Sequence, residues 1–265
     1  MGAVVIDNIK ELAKYKELLY IIVWRDIKIK YKQSVMGFMW AILMPLLIIS
    51  AGILVKYAMA VVSGKPILFS DIVTVSVKAL PWSFIVGSIR FATNSLLGNT
   101  NLVAKIYFPK EVFPIAAVLS NLFDFFIASC FLGIILFISQ IGLSIYLLWI
   151  PILLLLLIIF LIGFGMLLSA LSLFFRDVKY IVEVLLTFGI FFTPVFYEVN
   201  MFGKWSNVLL LNPIAPILES INICVVYHSP PVYPWLAYSA VFSCVMFIIG
   251  YTTFKKLEPA FAESI

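Results

Sequence analysis

A charge set inside a long apolar run is expensive, so it must be paired, hydrated by a conduit or used. Arg90 and Asp124 are the two residues of this chain that most clearly stand so. At helical rise Arg90 lies about 12 Å and Asp124 roughly 16 Å from the same end of their runs. Antiparallel neighbours would hold them at comparable depth, so Arg90 is expected to face either Asp124 or a polar conduit, with a purely structural ion pair as the plainer account. Glu183 is shallower and follows Lys179 at helical spacing, which suits an interfacial pair.

Other chemistries find little support. His228 is the single histidine, next to Ser229 and a proline pair with no acid nearby in sequence, and reads as a loop residue rather than a base or ligand. Cys130 and Cys244 fall in apolar runs and Cys224 in a loop, an odd and scattered set that forms neither a disulfide framework nor a metal motif. Gly203-Lys204 lacks the rest of a phosphate-binding loop, so ATP-driven work would need a partner subunit.

The elements that must position these residues follow from composition. Of 265 residues, 64% are hydrophobic and 12% charged, with a mean hydropathy of +1.14. A water-soluble domain carries roughly twice that charged fraction, so the bilayer must be the solvent. The net charge of +5 does not point to nucleic acid, because the basic residues flank apolar runs, where they set orientation. Asp7, Lys10, Glu11, Lys14, Lys16 and Glu17 interrupt the first stretch and argue against a cleaved signal peptide.

The chain reads as an all-α membrane protein in two parts. Residues 1–34 form an interfacial segment, in which Trp24, Ile27 and Tyr31 share one helical face and Arg25, Lys28 and Lys32 another, turned toward anionic lipid headgroups. A strand is the rival reading, since residues 26–32 also alternate. Residues 35–265 form a single transmembrane domain, with spans expected at 35–62, 72–97, 113–138, 146–175, 178–197 and 235–254. The fourth is over-long and needs tilt or an extension.

Placing the N-terminus in the cytoplasm puts about thirteen of the 18 Lys and Arg residues on that side, leaving Lys56, Lys65, Lys78 and Lys204 outside and Arg90 within a span. Both termini are then cytoplasmic. The segment 198–234 is strongly apolar yet broken by Pro213, Pro216, Pro230 and Pro231. It reads either as two short helices dipping back into the outer leaflet or as a collapsed outer cap. Trp40, Trp82, Trp149 and Trp235 fall where an interfacial aromatic belt is expected, and Gly163, Gly165, Ser169 and Ala170 mark a close helix contact.

Four stretches, in order, resemble the membrane subunit of ABC exporters of bacterial surface polysaccharides, the class that moves O-antigen, capsule or teichoic acid. They are WRDIKIKYKQSVMGFMWAILMPLL at 24–47, NLVAKIYFPKEVFP at 101–114, LFFRDVKYIVEVLLTFGIFFTPVFY at 173–197, and Asn212-Pro213 followed by FKKLEPAFAE at 254–263. The likeness spans nearly the whole chain, and the combination of motifs is more specific than any one of them.

That resemblance implies six spans after an interfacial helix, a homodimer of this chain and two copies of a separate nucleotide-binding ATPase subunit. ATP and magnesium would sit on the partner, and this chain would bind no cofactor of its own. The loop at 101–114 would be the element inserted into the ATPase, with Lys105, Phe108, Pro109, Lys110 and Glu111 as coupling residues and Arg176 and Asp177 orienting it or touching the partner. Thr193, Pro194, Asn212 and Pro213 would belong to the outer gate through which an undecaprenyl-linked glycan leaves a bacterial plasma membrane. A permease of the same class exporting a small lipid or drug is the nearer alternative, and a membrane-embedded transferase acting on lipid-linked sugars the more distant one.

Overall fold

Ile, Val and Phe give up χ1 freedom in a helix, but lipid leaves every backbone polar group to be satisfied within its own segment, and for long apolar runs that requirement decides for helix. The computed structural model accordingly shows helices throughout, and it describes residues 14–32, 36–64, 66–138, 140–142 and 144–261. The expectations resting on Asp7, Lys10, Glu11, residues 33–35, Lys65 and the last residues of the 254–263 segment fall outside those described.

Helix α1 spans Lys16–Lys32, α2 Met39–Ser63, α3 Phe69–Thr93, α4 Thr100–Lys105 and α5 Val112–Ile138. Helix α6 spans Ile150–Phe174, α7 Val178–Phe192, α8 Ser206–Leu210, α9 Ala215–Val225 and α10 Tyr233–Leu257. The strand reading of residues 26–32 is thereby overturned in favour of a helix. Among the described residues, five segments are long and apolar enough to cross a membrane: Met39–Val62, Phe69–Thr93, Val112–Ile138, Ile145–Phe174 and Tyr233–Ala260. The over-long fourth run resolves into a 3-10 turn, Ile145–Trp149, followed by α6.

The expected span at 178–197 takes a different form. Helix α7 has 15 residues, about 22 Å at helical rise against a hydrocarbon core of about 30 Å. It stops because Pro194 drives the residue before it out of the helical region, and Thr193 has φ −112 and ψ 134.

Helix α3 is the hub, packed against α2, α5, α6, α7 and α9. Its most apolar window is 78% buried, against 11–28% in the other four long segments. Lys56 and Lys78, assigned to the outer side from sequence, lie within α2 and α3 and are buried. Cys224 likewise sits in α9 rather than in a loop, buried and free. Helix α9 packs on α3, α6 and α10, so protein encloses this short helix.

Helices α6 and α10 pack side by side. A Cβ placed on Gly163 would strike the backbone of Phe247, and one on Gly250 the backbone of Gly163. Gly250→Val should therefore force the pair apart at a cost of about 1–3 kcal/mol, measured as a lowered Tm in detergent; an unchanged Tm would contradict this contact.

Candidate functional site

Residues 94–111 link α3 to α5 at one end of the bundle, called here the basic end because α1, Lys105, Lys110 and Lys255 gather near it. Helix α4 closes at Lys105, where Ile106 turns extended. Lys105, Ile106 and Tyr107 then project outward, Tyr107 being 95% exposed.

The chain turns back at Phe108, which is buried and meets the Phe113 ring edge-on at 5.5 Å. It shares a cluster with Val103, Val112, Leu173, Phe254 and Phe261. Of the residues assigned to a contact with the ATPase from sequence, Lys105 is exposed and Lys110 half-buried, whereas Phe108, Pro109 and Glu111 lie inside the base of the loop. Their geometry suits holding the loop rather than touching another protein, because their side chains fill the space beneath it.

An ionic clamp fixes that base. Lys255 on α10 lies 2.8 Å from Glu111 and 3.0 Å from Glu258, and Glu258 accepts the Lys110 backbone N–H at 3.2 Å. The Lys110 ammonium donates to the Ile106 and Phe108 carbonyls at 2.9 and 3.3 Å. Burial pushes the Glu111 carboxyl above the usual carboxylate range and the Lys110 ammonium below its usual value. Nothing in the sequence pattern joins 111 to 255 and 258; only the docking of α10 against the loop does. Arg176 and Asp177, at the turn into α7, are exposed and form no ion pair among the described residues.

Arg90 and Asp124 do not pair with each other. Arg90 on α3 makes a two-pronged bridge to Glu183 on α7, both contacts at 2.7 Å. Glu183 therefore does not serve Lys179. Asp124 on α5 instead accepts from Lys30 at 3.0 Å and from the Tyr31 hydroxyl at 2.5 Å. Lys30 also reaches Asn121 at 3.0 Å and lies 4.2 Å over the Phe91 ring. Burial lowers the Lys30 ammonium, and burial together with the Asp124 bond raises the Tyr31 hydroxyl. Arg90, Asp124, Lys30 and Tyr31 nevertheless line one cavity of about 340 Å³. What sequence missed is that α1 docks on α5 and supplies the cation.

On the rest of α1, Ile22 and Ile27 are buried, while Trp24 is exposed with the Lys28 ammonium 5.5 Å from its ring. Trp24 and Ile27 thus do not share a buried face. Arg25 pairs with Asp26 at 2.8 Å, and Lys32 is exposed.

At the opposite end the structure brings the four residues of the expected outer gate together. Asn212 donates to the Thr193 hydroxyl at 2.9 Å and receives the Ile214 N–H at 3.1 Å, while the Pro213 carbonyl accepts from Ser239 of α10 at 2.8 Å. Pro194 ends the helical path of α7 beside them. A charge network unread in the sequence lies alongside. Lys78 is fully buried, 2.9 Å from Glu219 of α9, and donates to the Tyr197 carbonyl at 3.1 Å. Lys56 lies 3.0 Å from Asp71 and 3.9 Å from Glu198.

Comparison with known proteins adds to this geometry. A family model described as ABC-2 type transporter matches residues 17–226. The O-antigen export system permease protein RfbA of Myxococcus xanthus is 28% identical over 261 residues, covering 97% of this chain and 98% of that protein. Two proteins of the same name from Klebsiella pneumoniae are 28% and 25% identical, each covering 93% of this chain and 94% of its own length.

Proposed function

The chain belongs to the ABC-2 type transporter family, and on that premise we propose that it is the channel-forming membrane subunit of an ATP-driven exporter of lipid-linked polysaccharide, of the O-antigen, capsule or teichoic acid kind. The observation that carries this reading is the match, over 97% of this chain, to a permease named for O-antigen export.

In this reading the protein lies in the inner membrane of a bacterium with both termini in the cytoplasm and works as a homodimer. It engages two copies of a separate ATPase that binds ATP and magnesium. Residues 178–197 complete a sixth crossing, with α8 and α9 returning into the outer leaflet. The single transmembrane domain follows the interfacial segment 1–34, whose Trp24, Arg25, Lys28 and Lys32 sit among lipid headgroups.

Closure of the ATPase pair pushes on Lys105, Ile106 and Tyr107, with Arg176 and Asp177 beside them. The Phe108 cluster and the Glu111–Lys255–Glu258 clamp pass that push to α5 and α10. The spans then tilt and a path opens between the two copies, past Arg90 and Asp124 and out by Thr193, Pro194, Asn212 and Pro213. An undecaprenyl-linked glycan fits such a path because a long polymer cannot be enclosed in one cavity.

The test is substrate-stimulated ATP hydrolysis by the reconstituted complex. A lipid-linked glycan should stimulate it and hydrophobic drugs should not. Stimulation by drugs or short lipids alone would favour the drug or lipid permease, and turnover of a lipid-linked sugar by this chain without an ATPase would favour the transferase.

A further inference from the structure

Helix α7 is lightly held. Of its 15 residues only Val182 and Leu186 are buried, and its main packing is on α3 and α6. Toward its basic end the polar tie to the bundle is the bridge from Glu183 to Arg90, two contacts at 2.7 Å with both side chains half-exposed. Any motion that draws this part of α7 from α3 breaks the bridge. A charge left alone inside a span is expensive, so such a motion needs a second partner for each.

The structure supplies both. Glu183 follows Lys179 by four residues, the spacing at which side chains meet on one helix face. Lys179 has no ion pair among the described residues, and its ammonium rests 4.8 Å over the Tyr180 ring. Arg90 has Asp124. Helices α3 and α5 approach closely at Gly87, where an added Cβ would lie 2.7 Å from the Asn121 amide oxygen. Arg90 stands one turn to the basic side of that contact and Asp124 one turn to the other. Side chains lean toward the N-terminus of their own helix, so on these antiparallel neighbours the two lean toward each other, and both line the same cavity. A carboxylate offers about four acceptor positions, and Lys30 also donates to Asn121 at 3.0 Å. Asp124 can therefore receive Arg90 while α1 stays docked.

We propose that Arg90 is a two-position latch, held by Glu183 while α7 rests against α3 and by Asp124 when α7 draws away, with Lys179 then taking Glu183. The latch rests on the exporter reading above and adds to it which helix moves and what keeps its charges paired.

The test reads surface glycan on cells in which each variant replaces the parent, beside the unfolding temperature of the purified complex with the ATPase. Lys30→Gln and Asp124→Asn break the same bridge from opposite ends and should lower that temperature alike. Lys30→Gln leaves Asp124 for Arg90, so export should fall less than about twofold, whereas Asp124→Asn should lower it about tenfold, within the usual range of coupling between sites. Equal losses would mean that Asp124 only holds Lys30, and would overturn the latch. Arg90 and Asp124 are not bonded in this structure, so two independent bridges would give losses that multiply; the latch predicts that Arg90→Gln, Asp124→Asn exports no worse than the poorer single variant. If these variants fail to fold, Lys179→Gln decides. It should keep the unfolding temperature and the bound ATPase yet lose about fivefold in export, with Lys179→Arg restoring it, and full export by Lys179→Gln overturns the latch. Surface glycan that survives deletion of the whole chain overturns the exporter reading instead.

Discussion

Lys78→Met should destabilise the chain by about 3–5 kcal/mol, the usual cost of breaking a buried ion pair from one side. The Lys78 side chain is fully enclosed, with Glu219 at 2.9 Å and the Tyr197 carbonyl at 3.1 Å. Methionine fills the same volume but leaves the largely buried Glu219 carboxylate without its counter-charge. Glu219 also accepts the Val199 N–H at 3.0 Å, so the loss reaches the segment joining α7 to α9. The double variant Lys78→Met, Glu219→Gln removes both charges together and should recover much of the loss. Thermal unfolding of the purified protein reads both. A single variant as stable as the parent would show that the pair does not hold α9 onto α3.

The second large effect separates two adjacent residues of the basic-end loop. Phe108→Ala removes a buried ring from the cluster beneath the loop and should cost about 3–5 kcal/mol. Tyr107→Ala removes a side chain that is 95% exposed, so its effect on stability should stay within about 0.5 kcal/mol. On the coupling account, Tyr107→Ala nevertheless lowers stimulated ATP hydrolysis about tenfold or more, in line with the weight of an aromatic anchor at an interface. Measured on the same preparations, the unfolding temperature should fall for Phe108→Ala and hold for Tyr107→Ala, whereas stimulated hydrolysis should fall in both. A Tyr107→Ala complex with full activity would remove that side chain from the contact.

The long spans were legible because a run of about 20 apolar residues has few other fates. The helix end at Phe174 lies beside the expected boundary at 175, whereas the expected span 178–197 ran past Pro194, before which α7 stops at Phe192. The clustering of Thr193 with Asn212 followed from the resemblance rather than from any spacing. Partner choice among charges was not legible. Depth along a helix placed Arg90 and Asp124 at one level, yet rotation about each helix axis decides the partner. Arg90 turns toward α7 and Asp124 toward α1. Lys30 looked like one more member of a basic run, although its spacing from Ile27 and Tyr31 puts it on the docked side of α1. Phe108 and Tyr107 differ by one position and by their whole environment, because only the fold of the turn decides which ring points inward.

The most direct measurement of the central claim is co-purification of this chain with the ATP-hydrolysing subunit from the same organism, followed by its hydrolysis rate with the parent chain and with Lys105→Ala, Tyr107→Ala. The account predicts a stable complex whose stimulated hydrolysis collapses in the double variant while the chain keeps its unfolding temperature. No association under any mild detergent or lipid condition, or association with hydrolysis indifferent to both side chains, would contradict it.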